Sequence, residues 1–113
     1  MTTNLDPLCD PAEESALDDL MSAVPGKAEA ELLTQIVREL DRARTKFPGD
    51  NVTTLALVEE VGELAQATFE KSRAEVRKEA IQVACMAMRV ILDGDATLDK
   101  WRAKKNLDPL TDR

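Results

Sequence analysis

The chain has 113 residues, of which 43% are apolar and 33% are charged, and its formal net charge at pH 7 is −7. A single domain of this length can bury a modest core, and self-association would add further burial. Histidine is absent, which excludes imidazole acid–base chemistry, Ser-His and Cys-His nucleophilic pairs and histidine-containing zinc sites.

The acidity is concentrated at the start of the chain. Residues 1–31 contain eight acidic residues and one basic residue, whereas the rest of the chain contains 14 of each sign. Because prolines interrupt residues 1–26, we predict an acidic arm that is flexible or loosely docked. The alternative is a short amphipathic helix over 12–24 that binds a specific partner. The domain that follows has no basic surplus, so we expect no nucleic-acid partner.

The expected location is the cytoplasm. The first residues are acidic and lack a hydrophobic run, so no signal peptide is predicted. No apolar stretch approaches the ~18 residues needed to span a bilayer, so no membrane association is expected. Cys9 and Cys85 lack Cys-x-x-Cys spacing, which favours a reduced intracellular protein.

After the arm, apolar residues recur at helical spacing and no strand-like alternation is present. We predict four helices, over about 28–46, 51–71, 72–94 and 96–105. Short connections make the first three consecutive antiparallel neighbours. The predicted fold class is therefore all-α, an antiparallel helical bundle over residues 27–106 with a C-terminal tail over 107–113.

Residues with strong capping preferences mark the ends of these helices. Pro48-Gly49 ends the first helix, and Asp50 or Asn51 is expected to cap the second. Ser72-Arg73-Ala74-Glu75 is a capping-box pattern that starts the third helix. Asp93-Gly94-Asp95 is predicted to end the third helix and to provide the N-cap of the fourth.

Acidic residues cluster in the second predicted helix. Glu59, Glu60 and Glu63 lie within five residues, and no Lys or Arg occurs between Lys46 and Lys71. Like charges at i,i+3 and i,i+4 destabilise a helix by a few tenths of a kcal/mol per pair. Such a cluster alone is usually a solvated helix face, yet a face built for solubility would contain lysines as well.

The positions of these acids follow from 100° per residue around a helix. Leu57, Val61 and Leu64 are predicted to form the inward face of the second helix, with the acids beside it. On the third helix, Glu79 lies in the middle of the apolar face, and Gln82 lies about 60° from it around the helix, at the edge of that face.

Antiparallel packing of these two helices would bring Glu60 and Glu63 opposite Glu79 and Gln82. A carboxylate in an apolar stripe, such as Glu79, is strongly unfavourable unless it is paired or bound to a metal. Four side chains bearing oxygen suit a hard cation, Mg²⁺ or Mn²⁺. The spacing therefore predicts a site for one such ion, or for two.

The run from Glu59-Glu60-x-x-Glu63 to Glu79-x-x-Gln82 resembles the Glu-Glu-x-x-Glu … Glu-x-x-Asp signature of the MazG-like, all-α nucleoside triphosphate pyrophosphohydrolases. The surrounding residues are also similar to those of the family: Leu57-Val58, Gly62-Glu63-Leu64-Ala65 and the apolar run from Ala80 to Ile91. The resemblance covers about residues 32–93.

The resemblance implies a helical bundle completed by oligomerisation, as a homodimer or homotetramer. It also implies cleavage of a (d)NTP substrate between its α- and β-phosphates, with Mg²⁺ (or Mn²⁺) as cofactor and with (d)NMP and pyrophosphate as products. Glu60, Glu63, Glu79 and Gln82 would be the metal ligands. Glu59 would be catalytic, joining them or orienting the attacking water. Gln82 stands where the family has an aspartate, which removes one negative charge from the site.

Several alternatives remain open at this point. The glutamine favours a catalytically weakened or inactive metal-binding or interaction protein as the second interpretation, and a helical assembly protein without a ligand is the third. Glu75 either supplies the missing charge or only caps its helix. Arg89 and Lys46 are candidate substrate-binding residues. Arg89 either faces the phosphates or pairs with Glu75 or Asp93, and Lys46 is either a phosphate contact or an exposed lysine at a helix end.

Overall fold

The computed structural model describes residues 26–110 together with residues 16, 18–20, 22 and 23. The chain divides into two compact units, Met1–Leu33 and Thr34–Arg113. In the first unit, the described residues before Gly26 are helical and exposed. Most of the predicted acidic arm, with Cys9, lies outside the described residues.

All the regular secondary structure within residues 26–110 is helical. They form α1 (Lys27–Lys46), α2 (Thr53–Glu70), α3 (Arg73–Asp93) and α4 (Ala96–Lys104). The all-α prediction is confirmed, and the helix bounds agree with the predicted ones to within two residues. None of the described helices is long and apolar enough to cross a membrane.

The start of α3, the end of α3 and the start of α4 are capped by the residues that were predicted. The Ser72 hydroxyl accepts a hydrogen bond from the Glu75 amide at 3.3 Å, which starts α3. Gly94 ends α3 at φ 75°, in the left-handed region that favours glycine. Asp95 then caps α4 by accepting hydrogen bonds from the amides of Thr97 and Leu98.

The start of α2 differs from the prediction. Neither Asp50 nor Asn51 caps it; Val52 occupies the N-cap position at φ 52° with no side-chain cap of its own. Instead, Asp95 accepts hydrogen bonds from the amides of Val52 (3.1 Å) and Thr54 (2.9 Å). One carboxylate, only 1% exposed, therefore caps two helices that are distant in sequence.

The closely packed pair of helices is α2 and α3, which run antiparallel. At one end of the pair the Thr53 hydroxyl donates to the Gly94 carbonyl. The side chains of α1 contact α3, and these two helices run in the same direction, which agrees with the predicted antiparallel order of the first three helices. Three bonds join these helices in parallel order: Arg77 to Gln35, Gln82 to Glu39 and Arg44 to Asp93.

The described residues bury few apolar side chains. The buried ones are Leu40, Ala67, Cys85 and Met86. On α2, the residues facing α3 are buried or half-buried: Thr53, Leu57, Glu60, Leu64 and Ala67. Val61, predicted to face inward, is 47% exposed because Glu60 occupies the packed face instead.

Candidate metal centre

Three carboxylates converge between α2 and α3. Glu60, Glu63 and Glu79 each offer one oxygen atom, and the three atoms lie within 4.8 Å of one another. Glu60 and Glu63 share a face of α2 because they are spaced at i,i+3. The antiparallel arrangement of α3 then places Glu79 opposite them. Glu60 and Glu79 are half-buried and Glu63 is exposed.

Glu60 is the most perturbed acid of the three. Its Oε2 atom is buried, and no described residue donates a hydrogen bond to it. Burial raises the pKa of Glu60 to about 7, with further contributions from the neighbouring acids Glu63 and Glu79. At neutral pH the folded cluster therefore holds a proton for part of the time, in a position where a cation would satisfy the same oxygen atoms.

The three donor groups are all carboxylates. No described Lys or Arg forms an ion pair with Glu60, Glu63 or Glu79. Mg²⁺ and Mn²⁺ prefer carboxylate oxygens, usually with water and substrate oxygens completing their coordination. These three residues are the ones that could hold such an ion.

A cavity of about 420 Å³ adjoins the cluster. Its volume lies within the range of small-molecule sites, roughly 300–1,000 Å³. Its lining combines apolar side chains with a few polar ones: Ala43, Phe47, Pro48, Gly49, Asn51, Val52, Thr53, Ala56, Glu59, Glu60, Gln82, Met86 and Arg89. Glu60 belongs both to the cavity wall and to the cluster, so a molecule in the cavity would lie beside the carboxylates.

Two further predicted site residues lie on this cavity. Glu59 is exposed and lines it next to Glu60. Gln82 also lines it, but its amide nitrogen donates to Glu39 Oε1 on α1 at 2.6 Å. Glu39 is held in turn by Arg42 at 2.9 Å. The hydrogen bond of the Gln82 side chain is thus made with α1 and not with the three carboxylates.

Arg89 has a structural role at the cavity. It is 4% exposed and donates to the carbonyls of Phe47 (3.1 Å) and Gly49 (2.7 Å). Its Nε atom also contacts Asp93, one of the two predicted partners, at 3.4 Å. Arg89 therefore positions the α1–α2 loop, which forms part of the cavity wall.

The remaining candidates, Lys46 and Glu75, belong neither to the cluster nor to the lining of the cavity. Lys46 is exposed, and its Nζ atom lies 5.3 Å from the centre of the Phe47 ring. Glu75 donates its amide to Ser72, in keeping with the capping role, and is not one of the three clustered acids.

Sequence reasoning missed Glu39 and the α1–α2 loop. Glu39 lies on a helix that contributes no residue to the motif, and its pairing with Gln82 spans 43 positions. Pro48-Gly49 indicates a helix stop in the sequence, and the loop that it starts also lines the cavity through Asn51 and Val52. The mixture of small, polar and apolar residues directly after a helix stop was the available signal.

Similarity to known proteins does not identify this site. Comparisons of the chain with family models, with curated proteins and with solved structures found no match.

Proposed function

We propose that this protein is a nucleotide pyrophosphohydrolase dependent on Mg²⁺ or Mn²⁺, which cleaves a (d)NTP to (d)NMP and pyrophosphate. The observation that carries the proposal is the convergence of Glu60, Glu63 and Glu79 at the edge of a cavity large enough for a small molecule. The reaction type comes from the motif, because these three acids belong to the run that resembles the MazG-like signature.

The arrangement of the three acids is energetically more favourable with a bound cation than without one. Three neighbouring carboxylates repel, and the buried Oε2 atom of Glu60 has no described hydrogen-bond donor. A bound divalent ion would remove both penalties. When bound there, it would also neutralise phosphate charge and make water a better nucleophile.

Residues of this chain supply the rest of the chemistry. Glu60, Glu63 and Glu79 hold the ion, and the adjoining cavity takes the nucleoside. Glu59, exposed on the cavity wall, orients a water molecule and accepts its proton. The water oxygen forms a bond to the α-phosphorus, the bond from that phosphorus to the bridging oxygen breaks, and pyrophosphate leaves.

The proposed enzyme is a homodimer or homotetramer. Three large apolar side chains lie on the face of α2 opposite α3: Leu55, Val58 and Phe69 are between 61% and 88% exposed. A helix that is apolar on both sides is normally covered on both sides. A second copy of the chain would cover this face.

A second candidate function is that of a metal-binding or interaction protein that is catalytically weakened or inactive. The hydrogen bond between Gln82 and Glu39 favours it, because Gln82 occupies the motif position of an aspartate and its amide is engaged with α1. This protein would bind the ion without turning over the nucleotide.

One assay separates these functions. The purified chain is incubated with each (d)NTP and with Mg²⁺ or Mn²⁺, and the products are separated by ion-exchange chromatography. We expect monophosphate and pyrophosphate in equal amounts. Glu60→Gln and Glu79→Gln should reduce turnover by roughly 10²-fold or more, because each removes a ligand charge.

The matched control is Glu70→Gln, an exposed glutamate at the end of α2 with the same change of charge. It should retain activity. Turnover that survives both cluster substitutions would contradict the proposed site, and diphosphate with free phosphate as products would contradict the proposed bond. Mn²⁺ binding by calorimetry without any turnover would support the second function.

A further inference from the structure

A second cavity lies between α1 and α3; it shares Gln82 with the first cavity but is lined by none of the three clustered carboxylates. Its volume is about 370 Å³. Both walls have the same helical spacing, i, i+3, i+4 and i+7, because the two helices run side by side in parallel. The α1 wall consists of Gln35, Arg38, Glu39 and Arg42, and the α3 wall of Ala74, Arg77, Lys78 and Ile81, with Gln82 adjoining. We call this cavity the basic groove.

The charge of the basic groove is strongly unbalanced. Arg38, Arg42, Arg77 and Lys78 line it, and Glu39 is the only carboxylate among its lining residues. Glu39 is already bound by Arg42 and Gln82. Residues 32–113 contain 14 acidic and 14 basic residues, so a lining with four cations and one carboxylate is a local excess of positive charge.

Two of the four cations are available to a ligand. Arg42 pairs with Glu39, and Arg77 donates to Gln35 at 2.8 Å. For Arg38 and Lys78, both exposed, the described residues provide no hydrogen bond or ion pair. Like charges packed this closely repel one another, and an anion between the walls would relieve that repulsion.

The charge of the groove favours an anion with more than one phosphate. Its four cations and single carboxylate leave a formal charge of +3. A single phosphate carries only about −1.5 to −2 at pH 7, so it would leave part of this charge unmatched. Ala74 and Ile81 add apolar surface to the α3 wall, against which an organic group could pack.

We propose that the basic groove binds a small molecule carrying two or more phosphates, independently of the three-carboxylate cluster. Arg38 and Lys78 make the principal contacts from opposite walls, and Arg42 and Arg77 add to the positive field. The shared chemistry is the diphosphate, whether inorganic or part of a nucleotide. This proposal does not rest on the hydrolase activity.

The test is a titration without metal. Sodium pyrophosphate, and in a separate arm ADP, is titrated into the full chain in excess EDTA and low salt, with binding followed by calorimetry. We expect saturable binding that weakens as the salt concentration rises. The double variant Arg38→Gln/Lys78→Gln should bind about tenfold more weakly, since it removes a charged contact from each wall.

The matched control is Lys100→Gln/Lys104→Gln, which removes two exposed positive charges from α4. It should bind like the unmodified chain. Tighter binding of ADP than of pyrophosphate would show that a nucleoside packs against Ala74 and Ile81. Equal binding would show that the groove recognises the diphosphate alone.

Three results would overturn the proposal: no saturable binding, an equal loss in both double variants, or a loss of metal-free binding in Glu60→Gln. Because EDTA removes the cation that the hydrolase needs, failure of this test leaves the hydrolase assay unaffected. Failure of the hydrolase assay likewise leaves this test intact.

Discussion

At the scale of single residues, Glu60 is the side chain whose environment differs most from the one that its position in the sequence suggests. Periodicity placed it beside the inward face of α2, whereas the structure places it within the face packed on α3. Burial and the nearby acids raise the pKa of Glu60 to about 7. A carboxylate in this position lowers the stability of the metal-free protein, which is a common compromise at functional sites.

We therefore predict that the stability of the metal-free protein falls between about pH 4.5 and 7. Below this window Glu60 is protonated in both the folded and the unfolded chain. The folded chain then carries no penalty for burying a charged Glu60, and stability is at its highest with respect to this residue. As the pH rises, the unfolded chain releases the proton while the folded chain retains it, and the contribution is lost as the pH passes about 7. The free energy of unfolding, measured with urea in the presence of EDTA, should be about 1–3 kcal/mol lower at pH 7.5 than at pH 5.

Glu60→Gln should abolish most of this difference, because the amide does not titrate. Glu59→Gln, the exposed neighbour with the same change of charge, is the control and should keep the pH dependence. If Glu60→Gln unfolds with the same pH dependence as the unmodified chain, the pKa of Glu60 is not the cause.

At the scale of helices, Asp95 determines how α2, α3 and α4 meet. Its carboxylate accepts hydrogen bonds from the amides of Val52 and Thr54 at the start of α2 and of Thr97 and Leu98 at the start of α4. Burial pushes the pKa of Asp95 upward, but these amide hydrogen bonds outweigh it and lower the pKa below its ordinary value. The ionised form therefore stabilises the junction.

Replacing Asp95 should destabilise the whole helical unit. Asp95→Ala removes the caps of two helices and leaves their amides unsatisfied, which should lower the free energy of unfolding by about 2–4 kcal/mol. Urea unfolding followed by circular dichroism measures the effect.

Asp50→Ala is the matched control for this prediction. Asp50 is exposed and does not provide the cap that its position predicted, so the expected change is below about 0.5 kcal/mol. Equal effects of the two substitutions would show that Asp95 is not the shared cap.

At the scale of the whole molecule, more large apolar side chains are exposed than buried among the described residues. Few apolar side chains are buried among the described residues, while Phe69 is 88% exposed, Leu55 65% and Val58 61%. These three lie on the face of α2 opposite α3, and burial of apolar surface contributes about 25 cal/mol per Å². This arrangement supports the proposed homo-oligomer.

We expect the chain to self-associate through this face, and Val58→Glu/Phe69→Glu should shift it to the monomer. Buried glutamates at an apolar interface carry a large desolvation penalty. Size-exclusion chromatography with light scattering, over a series of protein concentrations, gives the mass of each form.

Val37→Glu is the control for the oligomer, since Val37 is a 52% exposed valine on α1. It should leave the mass unchanged. An unmodified chain that remains monomeric at every concentration would contradict the oligomer, as would an equal shift caused by Val37→Glu.

The parts of this protein that the sequence alone determined are those with local causes. Helix bounds follow from the periodicity of apolar residues and from stops such as Pro48-Gly49. The Ser72 cap and the Gly94 end were predictable because their hydrogen bonds lie within a few residues of each other. The shared face of Glu60 and Glu63, and their position opposite Glu79, followed from the i,i+3 spacing and from antiparallel packing of adjacent helices.

Only the tertiary structure decided the contacts that join distant residues. The cap of α2 by Asp95, the bond between Glu39 and Gln82, and the parallel contact of α1 with α3 connect residues 41 or more positions apart. Local periodicity states which face of a helix is apolar, but it does not state which helix covers that face. That choice depends on the packing of all the helices together. The basic groove consists of residues from α1 and α3, so it exists only where these two helices lie side by side.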